Sequence, residues 1–100
     1  MPPRGGAGRV STKQKLAEEL KLLGDVLART RERAGRKQSE VAAALSLPAS
    51  YLSKIENGTR RLDVIELIHI AEAIGVDPAD VVRELREALK TSSASPTVDG

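Results

Sequence analysis

Gln38-Ser39-Glu40-Val41-Ala42-Ala43-Ala44-Leu45-Ser46-Leu47-Pro48-Ala49-Ser50-Tyr51-Leu52-Ser53-Lys54-Ile55-Glu56-Asn57-Gly58 reads as two short helices separated by a tight turn. Val41, Ala42 and Leu45 share one helical face between Gln38 and Leu45, and two further alanines keep the segment slim enough to lie close against another helix. Ser46-Leu47-Pro48 then turns the chain. A second segment starts at about Ala49 and stops at Asn57-Gly58, residue types that tolerate the left-handed conformation closing a helix.

Upstream, Ser11 with Gln14 reads as a capping box opening a long amphipathic helix, with Leu16, Leu20, Leu23 and Leu27 at alternating steps of four and three. Gly24 marks a bend in it. Its end falls near Ala34-Gly35, where Gly follows a last turn carrying Arg29, Arg31 and Arg33. Downstream, Asp63 with Glu66 opens a fourth helix whose apolar positions Val64, Ile65, Leu67, Ile68, Ala71 and Ile74 predict near-complete burial, ending at Gly75. Asp77-Pro78 starts a fifth helix through Val81, Val82, Leu85, Ala88 and Leu89. The expected fold is therefore all-α, with five helices, the first and last extended and helices two and three forming a helix-turn-helix. Residues 1–10 and 91–100 have the composition of disordered tails, the first of them basic, leaving 11–90 as the domain and 23–82 as its central module.

The chain has 100 residues, of which 40% are hydrophobic, with no Phe, Trp or Cys, one Tyr and one His. An aliphatic core without aromatics favours helices. The absence of cysteine removes disulfides and thiolate ligands, and His69 alone cannot assemble a metal site, so neither metal nor cofactor is expected. No nucleophile stands with a base, and Gly5-Gly6-Ala7-Gly8 has no preceding strand to make it a dinucleotide loop, which argues against an enzyme. No apolar run approaches a membrane span and no signal peptide is visible, so a cytoplasmic location is expected. Net charge is +2, but residues 1–37 carry +6, residues 38–61 carry +1 and residues 62–100 carry −5. A chain so divided can offer one face to a polyanion, although charge runs alone are commonly solvated helix surface.

On the third helix, at about 100° per residue, Leu52 and Ile55 mark the buried side. Ser50, Ser53, Lys54 and Asn57 fall on the opposite arc, small and polar with one cation. Such a slim face suits the DNA major groove, where hydroxyls and a lysine reach base edges. The stretch Leu23 to Val82 resembles the phage-repressor, xenobiotic-response-element type of helix-turn-helix family. The resemblance is carried by Arg31, by Gln38-Ser39-Glu40-Val41-Ala42, by Tyr51-Leu52-Ser53-Lys54-Ile55-Glu56-Asn57-Gly58 and by Ile70-Ala71-Glu72-Ala73-Ile74-Gly75-Val76.

The resemblance implies double-stranded DNA as the partner, with base contacts from Pro48, Ala49, Ser50, Ser53 and Lys54. It implies backbone contacts from Gln38, Tyr51, Asn57, Gly58, Thr59, Arg60 and Arg61, and a structural ion pair between Arg31 and Glu56. The chain departs from the family pattern at four places. Lys37 and Arg36 replace an N-capping and an apolar residue, each adding a cation for phosphate. Ser46 replaces a turn glycine, and Pro48 replaces a polar cap and reads as the first residue of the recognition helix. Tyr51 has two readings, packing through its ring or reaching phosphate through its hydroxyl. Asp80, Glu84 and Glu87 read as a solvated face.

The function implied is a sequence-specific transcriptional regulator, a repressor that binds its operator as a homodimer. Its dimerisation candidates are Leu16, Leu20 and Leu23 at one end and Val82, Leu85 and Leu89 at the other, each of which could equally close its own core. The alternative is an antitoxin-like or adaptor protein that combines autoregulatory DNA binding with a protein partner.

Overall fold

A computed structural model describes residues 12–97, with side-chain surroundings through Ser92. Five helices follow one another, α1 (Thr12–Arg33), α2 (Gln38–Ala44), α3 (Ala49–Glu56), α4 (Val64–Ile74) and α5 (Pro78–Thr97), and no strand occurs among the described residues. Ser11 with its expected capping box, the basic segment 1–10 and residues 98–100 lie outside the described residues.

The helix starts follow local chemistry. At α4, Asp63 Oδ1 accepts the Glu66 amide at 2.7 Å while Glu66 Oε1 accepts the Asp63 amide at 3.0 Å, so two otherwise orphaned donors are satisfied reciprocally. At α5, Asp77 Oδ1 accepts the Ala79 amide at 2.9 Å. At α2 only half of this device exists: Glu40 Oε1 accepts the Lys37 amide at 2.8 Å, but a lysine side chain has no oxygen to return. α3 begins at Ala49 with Pro48 as its N-cap, because ψ of 151° leaves Pro48 extended. The expectation of Pro48 as the first helical residue is thus corrected by one position. Ser46 takes the left-handed conformation itself, at φ of 58°, where a glycine would meet less resistance.

Val26, Leu27, Val41, Leu52, Ile55, Leu67, Ile70, Ala71, Ile74 and Val81 form one buried aliphatic cluster, with contributions from every helix. α3 packs between α1 and α2, while α4 lies against α2 and α5. α5 runs back along α1, with Arg33 meeting Glu84 at 2.8 Å at one end and Leu22 lining a groove with Thr91 and Ser92 at the other. Asp80 and Glu87 pair with Arg83 and Lys90 on the surface of α5, whereas Glu84 bridges to α1.

Three expectations are corrected. Gly24 does not interrupt α1, which continues through it; the glycine permits contact rather than bending. A Cβ there would lie 2.6 Å from the Ile55 carbonyl oxygen and closer still to that of Glu56, so α3 ends directly on the α1 backbone. α4 is not wholly core, since Val64 and Ile65 stand 68% and 62% exposed on its first turn. Finally, α5 passes the tail boundary placed at Thr91 and reaches Thr97. No glycine stops it in that stretch, and the Thr91 hydroxyl, donating to the Glu87 carbonyl at 3.0 Å, folds back onto the helix.

Candidate nucleic-acid interface

α3 exposes one face because the other is fixed. Leu52, Ile55 and Glu56 are buried, which turns Pro48, Ala49, Ser50 and Lys54 outward to exposed positions with Ser53 half-buried beside them. Ser53 Oγ donates to the Ser50 carbonyl at 3.3 Å, and Lys54 has its side chain in solvent. Helical periodicity puts Ala49, Ser50, Ser53 and Lys54 on one arc of α3, with Pro48 at its N-cap.

Behind this surface α3 is anchored by a charged network. The Arg31 guanidinium donates to both Glu56 oxygens, at 2.7 and 3.0 Å, and to the Arg36 carbonyl at 2.8 Å, while Gln38 Nε2 donates to Glu56 Oε1 at 2.8 Å. The Glu56 hydrogen bond raises the Arg31 pKa against the opposing effect of burial, so the guanidinium keeps its charge. α1, α2 and the end of α3 thus converge on one carboxylate. Gln38, which the resemblance placed on the DNA backbone, is turned inward to this carboxylate.

The loop after α3 is closed on itself. The Asn57 amide donates to the Ser53 carbonyl, that of Gly58 to Ile55, and those of Thr59 and Arg60 both to Lys54, at 2.9 to 3.2 Å. Asn57 Oδ1 accepts both the amide and the hydroxyl of Thr59. All four of these backbone amides are therefore already paired within the protein. Gly58, at φ of 82°, sits against α1: a Cβ on it would lie 2.9 Å from the Lys21 Cα. Lys21, exposed beside this loop, and Gly24 are two residues that sequence reasoning did not place at the site. A glycine inside an otherwise good helical pattern was the available signal for the second.

The remaining cations occupy different places. Lys37 and Arg61 are exposed. The Arg36 guanidinium lies at the C-terminal end of α4, 3.6 Å from where a Gly75 Cβ would stand, a position that suits a cation against helix carbonyls. Arg60 lies 4.5 Å over the Tyr51 ring and pairs with Glu66 at 3.1 Å. The Tyr51 hydroxyl donates to that same Glu66 oxygen at 3.0 Å. Burial first, then the Glu66 contact, pushes the Tyr51 phenol above its usual value, so it remains a donor at neutral pH. Glu66, visible in the sequence only as a cap, is therefore part of this surface. Two short helices at the surface, joined by a turn and held by a buried ion pair, are the arrangement in which the second helix enters a DNA groove.

A family described as a helix-turn-helix domain matches residues 22–89. The chain belongs to that helix-turn-helix family. An HTH-type transcriptional regulator of Sinorhizobium fredii is 40% identical over 62 residues, which are 62% of this chain and 80% of that protein. Among solved structures, an XRE-family like protein from Pseudomonas syringae is similar with a TM-score of 0.68 and 40% identity, over 77% of this chain and 94% of the other. The clp gene regulator ClgR from Corynebacterium glutamicum gives a TM-score of 0.70 at 27% identity, over 77% and 82%. The Sinorhizobium and Corynebacterium relatives are named as regulators. In this helix-turn-helix domain the matched region takes in α2 to α4 whole and leaves the first turns of α1, and Leu16 with them, outside. No described helix is long and apolar enough to cross a membrane.

Proposed function

We propose that this protein is a sequence-specific double-stranded DNA-binding regulator of transcription, acting as a repressor that occupies its operator as a homodimer. The observation that carries the reading is the outward face of α3, where Ala49, Ser50 and Lys54 are exposed together while the same helix is fixed from behind by Arg31 and Glu56. In the major groove such a face places hydroxyls and an ammonium at base edges, and Pro48 beside a thymine methyl. Asn57, Thr59, Lys37, Arg61 and Arg60 supply the flanking backbone contacts, which set position rather than sequence.

Selection from random duplexes at about 150 mM salt, where contacts to phosphate alone are weakened, tests this directly. A palindrome with half-sites about one helical turn apart is the expected product. Lys54→Ala relaxes preference at one base position within each half-site, whereas Arg61→Ala weakens all duplexes alike. If no sequence is enriched, the reading as an autonomous regulator fails.

A further inference from the structure

Arg60 is a backbone-contact candidate, yet in the free protein its charge is already engaged. Its Nη1 donates to the Arg61 carbonyl at 2.9 Å and lies 3.1 Å from Glu66 Oε2, and its guanidinium covers the Tyr51 ring. The three residues come from three elements: Tyr51 from the recognition helix, Arg60 from the loop after it, and Glu66 from the first turn of α4. Glu66 itself is held firmly, since one oxygen accepts the Asp63 amide and the other accepts Tyr51.

We propose that Glu66 is a competitor for DNA at the interface: it holds Arg60 on Tyr51, and a backbone phosphate captures Arg60 only by displacing this carboxylate. The inference rests on the DNA-binding reading. A carboxylate and a phosphate oxygen offer a guanidinium the same charge-assisted hydrogen bonds, so one arginine cannot satisfy both fully. Glu66 also adds a negative charge beside the approaching polyanion. Both effects lower affinity for any duplex without altering which bases α3 prefers, so the residue limits sequence-independent binding relative to base readout.

Three further features fit. The Glu66 carboxyl lies below its usual range, chiefly through the Asp63 amide, so it is ionised wherever DNA binding is measured. Arg60 is only partly exposed, with 39% of its side chain in solvent, as expected of a group held against a ring. His69 and Leu47 line the same groove of about 570 Å³ alongside Tyr51, Arg60 and Glu66, leaving room for the guanidinium to swing without disturbing the core.

Glu66→Gln is the informative variant, because the amide oxygen preserves the cap while the acceptor facing Arg60 is lost. Tyr51 is the only aromatic residue in the chain, so its ionisation is read without interference by absorbance of the tyrosinate. In the free protein Glu66→Gln lowers the Tyr51 pKa and Arg60→Ala raises it; a phenol indifferent to both would show that the three groups do not interact, and would overturn the proposal. With a random-sequence duplex at about 150 mM salt, Glu66→Gln tightens binding by about three- to tenfold, Arg60→Ala weakens it, and on the Arg60→Ala background Glu66→Gln gains much less, because only the loss of its charge then counts. An equal gain from Glu66→Gln in the absence of Arg60 means simple charge repulsion, and weaker binding by Glu66→Gln means that the carboxylate aids Arg60; either overturns the competition. Absence of duplex binding by all four proteins, at low salt as well, removes the DNA-binding reading itself.

Discussion

At Gly24 one hydrogen atom decides how two helices meet. The carbonyls that end α3 rest where a Cβ would stand, so Gly24→Ala must push α3 away from α1 and loosen Leu52 and Ile55 as well. A loss of about 1–3 kcal/mol is expected, as for other overpacked sites, measured by urea unfolding. Alanine at Gly24 leaving the stability unchanged would show that the helices part freely. The same end of α3 holds Glu56, whose side chain is 7% exposed and whose partner Arg31 is 11% exposed. Arg31→Met leaves that buried carboxylate without its cation, with Gln38 still donating to it, and is expected to cost about 3 kcal/mol, whereas Arg31→Met/Glu56→Leu costs less than the single change. A double variant less stable than Arg31→Met would contradict this account. Both residues show what a single chain of letters conveys. The periodicity around Leu23 and Leu27 makes α1 legible, and the opposite charges of Arg31 and Glu56 are visible as types. That Gly24 and Glu56 lie against each other is a property of two helices crossing, which no spacing within either helix encodes.

At the scale of elements, α2 and α4 differ in one device. Both have a glutamate at the third position that returns to the cap amide, but α4 has Asp63 to complete the exchange and α2 has Lys37. Lys37→Ser therefore stabilises the protein by about 0.5–1 kcal/mol in thermal unfolding while removing a cation from the proposed phosphate surface. Gain of stability with loss of DNA affinity is the expected pair, and a variant no more stable than the original would mean that α2 does not need the cap. The α4 cap has a pH dependence of defined sign. Glu66 titrates below its unfolded value, so its contribution is present above the ordinary carboxylate pKa near about 4.3 and is lost as pH falls through the folded-state value. The stability gap between the native protein and Glu66→Gln is accordingly full at about pH 6 and closes as the pH falls through the depressed folded-state value; a gap independent of pH would show that the charge is immaterial to the cap. The starts of α4 and α5 and the stops at Gly35, Gly58 and Gly75 were readable because capping chemistry is local, whereas the far end of α5, with no capping residue to mark it, was not. The exposure of Val64 and Ile65 was not, since an apolar first turn looks the same in sequence whether the next layer covers it or not.

The whole molecule places two neighbouring valines in opposite circumstances, and this bears on assembly. Val81 is 1% exposed in the core, while Val82 is 48% exposed on the far side of α5, with half-buried Leu85 and Leu89 following on the same helix. Of the candidate positions at the two ends, Leu16, 41% exposed, and Leu20 lie outside the region shared with the helix-turn-helix family, while Leu23 and the Val82, Leu85 and Leu89 set lie within it. Val82 is more exposed than Leu16 and lies within the matched region, so the α5 surface is the one we propose for pairing two copies. Val82→Asp tests it cleanly, because a charge at an exposed position should leave stability within about 0.5 kcal/mol, whereas any polar change at Val81 would open the core. By sedimentation at tens of micromolar, the native chain is expected to run as a dimer and Val82→Asp as a folded monomer, whose melting temperature, unlike that of the native dimer, does not change with concentration. On a palindromic duplex the variant should bind each half-site independently and more weakly, since the linkage that makes the second contact intramolecular is gone. If Val82→Asp remains dimeric and Leu16→Asp does not, the first turns of α1 hold the dimer instead, and the recognition helices are spaced by a surface outside residues 22–89.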